Sequence, residues 1–195
     1  MHESDTSTMT GNWLSWLAVP QWLPLQHADS LTSACNRVAF LLATNTPFYP
    51  LYLWFILGRA GWPWLLLSLC SLPFFSATPW VSRRNGMAGR VWLGFFASLN
   101  SAWIDWLLGP RAGIALFFLP CLVLTVLAFR TSEIWPRALL TGLPFVLYAA
   151  LHWAPPPPAI YSAAAYSSLL TLSAVSVTGL SVVIPYMLGA ARGEG

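Results

Sequence analysis

The sequence predicts an all-α, polytopic membrane bundle of six transmembrane helices with both termini in the cytoplasm. Hydrophobic residues make up 57% of the 195-residue chain and charged residues 8%, whereas soluble domains carry about 25% charged residues. Each crossing needs about 20 apolar residues. Five charge-free tracts supply these residues, at 38–58, 60–82, 91–104, 112–129 and 138–191, and the last tract is long enough for two crossings. The nine Lys or Arg residues, all arginine, fall between these tracts or directly flank the first and the last of them.

The first element is a predicted leader over residues 1–34, polar over its first ten positions. Residues 11–25 hold three tryptophans among leucines and are interrupted by two prolines. Indole rings favour the membrane–water interface, and this stretch is too short to cross the bilayer. We therefore expect a Trp-rich amphipathic segment that lies in the headgroup plane.

The six crossings form one predicted domain at 35–188, followed by a short cytoplasmic tail at 189–195. Their predicted bounds are 35–57, 62–81, 91–108, 114–129, 137–153 and 161–188. Asn45, Pro47 and Pro50 predict a kink in the first, because proline removes an amide donor. The predicted connections are a tight turn at 58–61, a loop at 82–90, a glycine turn at 109–113, a loop at 130–136 and a proline-rich link at 154–159.

The arginines predict the orientation. With the N-terminus inside, seven of them flank the cytoplasmic ends of the helices: Arg37, Arg83, Arg84, Arg90, Arg130, Arg137 and Arg192. Only Arg59 and Arg111 fall outside. This bias follows the positive-inside rule, and we expect a multi-pass protein of the bacterial inner membrane.

Small and hydroxyl residues recur at helical spacing along the sixth crossing. They are Ala164, Ser168, Thr171, Ala174, Thr178 and Ser181. Such a face permits close helix–helix approach in lipid. It fits either packing inside the bundle or the seam of a homodimer.

A candidate ligand pocket is predicted at the outer end of the bundle. Asp105 is the one carboxylate inside a predicted crossing, and ionisable groups at that depth usually have partners. The residues predicted at the same level are Arg111, His152, Tyr49, Tyr52, Tyr161 and Tyr166. Three interpretations remain open: an ion pair within an aromatic belt, a ligand-sensing pocket, and a proton or ion path.

Several functional classes have no support in the sequence. Cys35, Cys70 and Cys121 are isolated from one another, so neither a disulfide framework nor a zinc site is indicated. The three histidines are too scattered for a haem site. Neither a hydrolase nor a nucleotide-binding motif occurs, and the arginines do not form a nucleic-acid surface. We expect no cofactor, no metal, no nucleic acid and no enzymatic activity.

The stretch 108–113, Leu-Gly-Pro-Arg-Ala-Gly, is followed at 117–120 by Phe-Phe-Leu-Pro. It resembles the turn between the third and fourth helices in the six-helix N-terminal membrane domains of bacterial adenylate cyclases, diguanylate cyclases and sensor histidine kinases. The arginine pair Arg83-Arg84 and the amphipathic leader are similar too. The resemblance implies a sensory or anchor module that couples an outer-leaflet signal to a cytoplasmic output domain. No such domain occurs up to Gly195, so we expect either a longer protein or a cytoplasmic signalling partner.

Two other functional classes remain as alternatives. One is a small transporter or channel subunit, although residues 35–108 and 112–188 show no internal repeat of the kind that many transporters have. The other is a structural subunit of a membrane complex, with the Trp-rich surface facing lipid or partner.

Overall fold

The structure is a computed structural model that describes residues 25–58, 66–155, 157 and 160–193. The described residues are 85% helical and include no strand, which confirms the all-α class. The α-helices are α1 Ser30–Asn45, α2 Phe48–Leu57, α3 Leu72–Arg84, α4 Gly86–Leu108, α5 Phe118–Leu127, α6 Ile134–Leu151 and α7 Ala163–Gly193. Short 3₁₀ helices cover Ser68–Ser71, Pro110–Ala112 and Ile114–Phe117.

These helices run back and forth along one bundle with two distinct ends. At one end, Ser30 Oγ donates to the carbonyl of Ala191, so the start of α1 meets the last turn of α7. Arg90 lies at this end, which we call the Arg90 end. At the other, the indole N–H of Trp106 donates to the carbonyl of Pro155. We call it the Asp105 end.

The predicted kink in the first crossing separates α1 from α2. Pro47 and Pro50 have no amide hydrogen to donate. Thr46 closes α1 by donating its backbone N–H, at 3.0 Å, and its hydroxyl, at 2.8 Å, to the carbonyl of Leu42. The amide of Tyr49 then donates to the Thr46 carbonyl in a tighter turn. The helix therefore bends where the proline residues interrupt its hydrogen bonding.

The predicted loop at 82–90 is wrong. Helix α3 continues to Arg84, α4 begins at Gly86, and Asn85 alone separates them. Asn85 caps α4 by accepting a hydrogen bond from the amide of Ala88 at 3.1 Å. A Cβ atom at Gly89 would collide with the side chain and the Cα of Ser82. Only glycine at position 89 lets the two helices approach so closely, so the charged stretch forms helix ends rather than a loop.

Other boundaries shift by a few residues. Helix α1 begins at Ser30, before the predicted Cys35, because Asp29 caps it with a hydrogen bond from the Thr32 amide at 3.3 Å. Helix α6 spans Ile134–Leu151 instead of 137–153, and α7 continues past the predicted end at 188 to Gly193. The predicted Trp-rich segment lies outside the described residues except for Leu25, as does the start of the second predicted crossing.

The glycine turn at 109–113 is present as predicted. Gly109 and Gly113 both have positive φ, 81° and 74°, on either side of the 3₁₀ turn Pro110–Ala112. Residues that carry a Cβ atom rarely adopt these φ angles. The turn delivers the chain from α4 into the short apolar segment Ile114–Leu127.

The interior consists of two apolar clusters, one toward each end of the bundle. The cluster toward the Arg90 end includes Val38, Leu93 and Leu188, and the one toward the Asp105 end includes Leu53, Leu107 and Leu169. The outer surface of the bundle is also apolar, because apolar helices leave many side chains exposed. Helix α6, for example, buries only Leu140 and Pro144. Three described helical stretches, Ser30–Leu57, Ile134–Leu151 and Ala163–Arg192, are long and apolar enough to cross a membrane.

Candidate functional site

A buried arginine organises the Arg90 end of the bundle. Two Arg90 nitrogens each donate to one Glu133 oxygen at 2.7 Å, which makes a bidentate pair. Arg90 also donates to the Ala128 carbonyl at 3.0 Å, and its guanidinium lies 5.6 Å from the centre of the Phe129 ring. The Arg90 side chain is only 5% exposed. Such two-pronged, charge-assisted pairs fix geometry as well as contributing energy.

A second ion pair extends this site to the first helix. Asp29 lies 4.0 Å from Arg90 and receives a hydrogen bond of 2.9 Å from Arg130. Arg130 is 62% exposed, in contrast to Arg90. We call the four residues Asp29, Arg90, Arg130 and Glu133 the Arg90 clamp. It joins the start of α1, the first turns of α4 and the connection between α5 and α6.

The clamp carboxylates are held in their charged form. Burial alone would raise the pKa of Glu133, but its hydrogen bonds from Arg90 and from the Arg130 amide, with the charges of both arginines, lower that pKa below its ordinary value. Burial acts the same way on Asp29. There the Thr32 hydrogen bond and the two arginine charges outweigh it and lower the pKa. Both carboxylates are therefore ionised at neutral pH.

The last helix is tied to the same end of the bundle. Besides the bond from Ser30 to Ala191, Arg192 donates to the carbonyl of Phe129 at 2.6 Å and to that of Val126 at 3.1 Å. The last carbonyls of a helix have no partner within it. Arg192 satisfies two such groups at and just beyond the end of α5. The final turn of α7 thus contacts both α1 and the segment that leads into Glu133.

The structure brings only part of the predicted pocket together. Asp105 is buried, and none of the described donors reaches its Oδ1 atom. Tyr49 is close enough for electrostatic interaction with it. Arg111, Tyr52 and His152 are exposed, and neither Arg111 nor His152 forms an ion pair with Asp105 in the described part of the chain. His152 instead faces Tyr148, with its Nδ1 3.2 Å from that residue's carbonyl.

The two further predicted tyrosines pair with each other. Tyr161 and Tyr166 meet edge to face with ring centres 5.9 Å apart, and Tyr166 packs in the apolar cluster toward the Asp105 end. Tyr161 packs against the same cluster, as does Tyr49.

Sequence reasoning missed the clamp because it counted Arg90 as a loop charge. One signal was available. Asp29 and Glu133 are two of the six acidic residues in the chain, and both directly precede helices that begin at the predicted inner side. Acidic groups at that level, opposite an arginine at a helix start, predict an ion pair.

The fold and the clamp define an all-α membrane protein in which a charged network joins α1, α4 and the α5–α6 connection, at the end of the bundle where the last helix also meets the first. Residues 26–191 match the family model MASE7, and the chain belongs to this family. MASE domains are membrane-associated sensory domains of cyclases and kinases. The resemblance drawn from the sequence is thereby confirmed. Among curated proteins, none matches the chain significantly.

Proposed function

We propose that this protein is a non-enzymatic sensory and anchor module that crosses the bacterial inner membrane six times and couples an outer-leaflet signal to a cytoplasmic output domain or partner. Membership of the MASE7 family supports the sensory role. The arginine distribution supports an inward-facing Arg90 end, because seven of the nine arginines fall at that end. The signal would act at the Asp105 end, around Asp105 and Tyr49.

One observation carries the coupling part of this proposal. The final turn of α7 is bonded to Ser30 at one side and, through Arg192, to the end of α5 at the other. A displacement of α1 or α5 therefore changes the partners of the helix that leads toward the C-terminus. A two-state switch needs such differential contacts to be biased by a signal.

A reporter fusion tests the coupling. A diguanylate cyclase catalytic domain fused behind Gly195 should show an activity that depends on Arg192. A hydrogen bond with a charged donor contributes about 1.5–3 kcal/mol, so Arg192→Gln should shift the equilibrium, and with it reporter output, by about tenfold or more. Arg84→Gln is the control, because it removes an exposed arginine at the same end without touching the clamp.

Equal output from the two variants at equal membrane levels would overturn the coupling. Topology is tested separately with reporters that are active on only one side of the membrane. Both termini should report the cytoplasm, and opposite sides would contradict the six-crossing arrangement.

The predicted homodimer through α7 stays a prediction. Of the six small residues on its face, all but Ser181 are exposed in the single chain. Packing inside this bundle therefore does not account for them.

A further inference from the structure

A cavity of about 360 Å³ lies between the two apolar clusters of the interior. Phe75, Ala97 and Leu124 line it from the cluster toward the Arg90 end, and Ile104 and Ile114 from the other cluster. Protein interiors are otherwise packed as densely as organic crystals. This volume falls in the range of small-molecule sites, about 300–1,000 Å³. The cavity thus interrupts the core where a ligand could connect its two halves.

Among the described residues, the cavity wall is apolar with a few polar groups and carries no charged side chain. The polar wall residues include Asn45, Thr46, Ser71, Asn100, Ser101 and Ser176. The Ser101 hydroxyl is already bonded to the carbonyl of Ala97, and that of Thr46 to the carbonyl of Leu42. The Oδ1 atom of Asn100 is buried, and no described donor bonds to it. A buried acceptor without a partner costs free energy, so this site favours a ligand that can donate a hydrogen bond.

The opening of the cavity lies between α1 and α7. The exposed wall residues include Asn45 at the end of α1, and Gly179 and Val183 on α7. Asn45 follows Ser30 by about 22 Å of helix at 1.5 Å per residue, near the middle of the apolar stretch Ser30–Leu57. The opening therefore faces sideways, at the depth of the hydrocarbon rather than at an aqueous end.

We propose that this cavity binds an uncharged amphiphile, with a hydroxyl or amide head that donates to Asn100 and an apolar body of about a dozen carbons, which arrives laterally from the bilayer. An ionised head would be buried without a counter-charge, which costs far more than a neutral polar group. The proposal rests on the sensory function and names its ligand class. The cavity shares Tyr49 with the outer pocket around Asp105.

A ligand bound in the cavity would contact both α1 and α7, which also meet at the Arg90 end. The ligand touches α1 and α2 at the kink and α7 near Gly179. The same helices meet again at Ser30 and Ala191. A body that fills the gap sets the separation of α1 and α7 and hence the geometry of that junction.

Photolabelling tests the site with the full chain in phosphatidylcholine nanodiscs. The probe is a dodecanol that carries a diazirine on its alkyl chain, and labelled peptides are identified by mass spectrometry. Labelling should map to the cavity wall and should be displaced by 1-dodecanol but not by dodecanoate. Labelling confined to the outward face of α6, or equal displacement by both competitors, would overturn the proposal.

Two variants and a matched control locate the binding. A Cβ atom at Gly179 or at Gly189 would meet nothing within 4 Å, so a side chain can be introduced at either position without a clash at its Cβ atom. Gly179→Leu narrows the opening and should abolish most labelling, whereas Gly189→Leu on the same helix should leave it unchanged. Asn100→Leu removes one hydrogen bond and should weaken binding by about 2–10-fold. Unchanged labelling in both Gly179→Leu and Asn100→Leu would refute the site.

A bilayer lipid tail is the competing source of the same apolar chemistry. A phosphatidylcholine with a diazirine in its acyl chain distinguishes it: cavity labelling by this lipid that 1-dodecanol does not displace would contradict a free amphiphile. Because binding is measured without an output domain, failure here leaves the Arg192 reporter result intact. Failure of that reporter likewise leaves the labelling result intact.

Discussion

Replacing Glu133 with glutamine should destabilise the bundle by about 2–3 kcal/mol. Removing one partner of a buried ion pair costs about 3–5 kcal/mol, because the other charge stays buried. Two features reduce that cost. Asp29 remains 4.0 Å from Arg90, and the Ala128 carbonyl still accepts at 3.0 Å. Glutamine also keeps one acceptor oxygen for one of the two bonds.

The free energy of unfolding is measured by reversible sodium dodecyl sulfate titration of the purified chain in mild detergent micelles. Arg130→Gln is the matched control, because it breaks the exposed pair with Asp29, and such pairs contribute about 0–1 kcal/mol. Arg130 is 62% exposed and Arg90 5%. A loss below about 1 kcal/mol for Glu133→Gln, or an equal loss for Arg130→Gln, would refute the reasoning.

A double variant separates charge burial from packing. Arg90→Met with Glu133→Leu replaces the pair by apolar groups of similar size, an exchange that is often neutral. We expect the double variant to be more stable than Glu133→Gln alone. Losses that add up from the single variants Arg90→Met and Glu133→Leu to the double variant would show that the two side chains do not interact.

Three further predictions concern acidity, the outer pocket and the dimer. The pKa of Glu133 is lowered from 4.5 and that of Asp29 from 3.8, so the clamp contributes its full stabilisation above these values and loses it as the pH falls through the lowered ones. The difference in unfolding free energy between wild type and Glu133→Gln should therefore close below pH 4.5 in the same titration. Asp105→Asn should change the response of the reporter fusion without changing membrane insertion, and an unaltered response would remove the outer pocket. Ala174→Leu should reduce energy transfer between labelled copies in vesicles, whereas the adjacent Val175→Leu should not; equal transfer in both would contradict the seam.

The helices, and some of the connections between them, could be predicted from the sequence. The glycine turn and the kink at Pro47 depend on local backbone chemistry, and both appear where predicted. The prediction of a loop at 82–90 was wrong for a different reason. Its arginines and polar residues indicated solvent, but the cap at Asn85 and the close contact at Gly89 make it a helical hairpin.

The candidate sites were less predictable. The position of a residue in a predicted crossing gives its depth in the membrane, but not whether its side chain faces the interior or the surface of the bundle. Asp105 and Tyr49 therefore point inward, whereas Arg111 and His152, at similar depth, are exposed. The partner of Arg90 comes from a connection 43 residues away. No local pattern shows that the two meet, and only their shared level at the predicted inner side indicates it.

The unbroken course of α7 fixes the rotational phase of anything attached behind it. This helix is 31 residues long and is described to Gly193, one residue beyond the Arg192 bonds. Each residue inserted after that point would turn a following helical linker by about 100° and advance it by about 1.5 Å. Linkers that differ by single residues should thus present an attached domain in different orientations, while a seven-residue insertion nearly restores the original one.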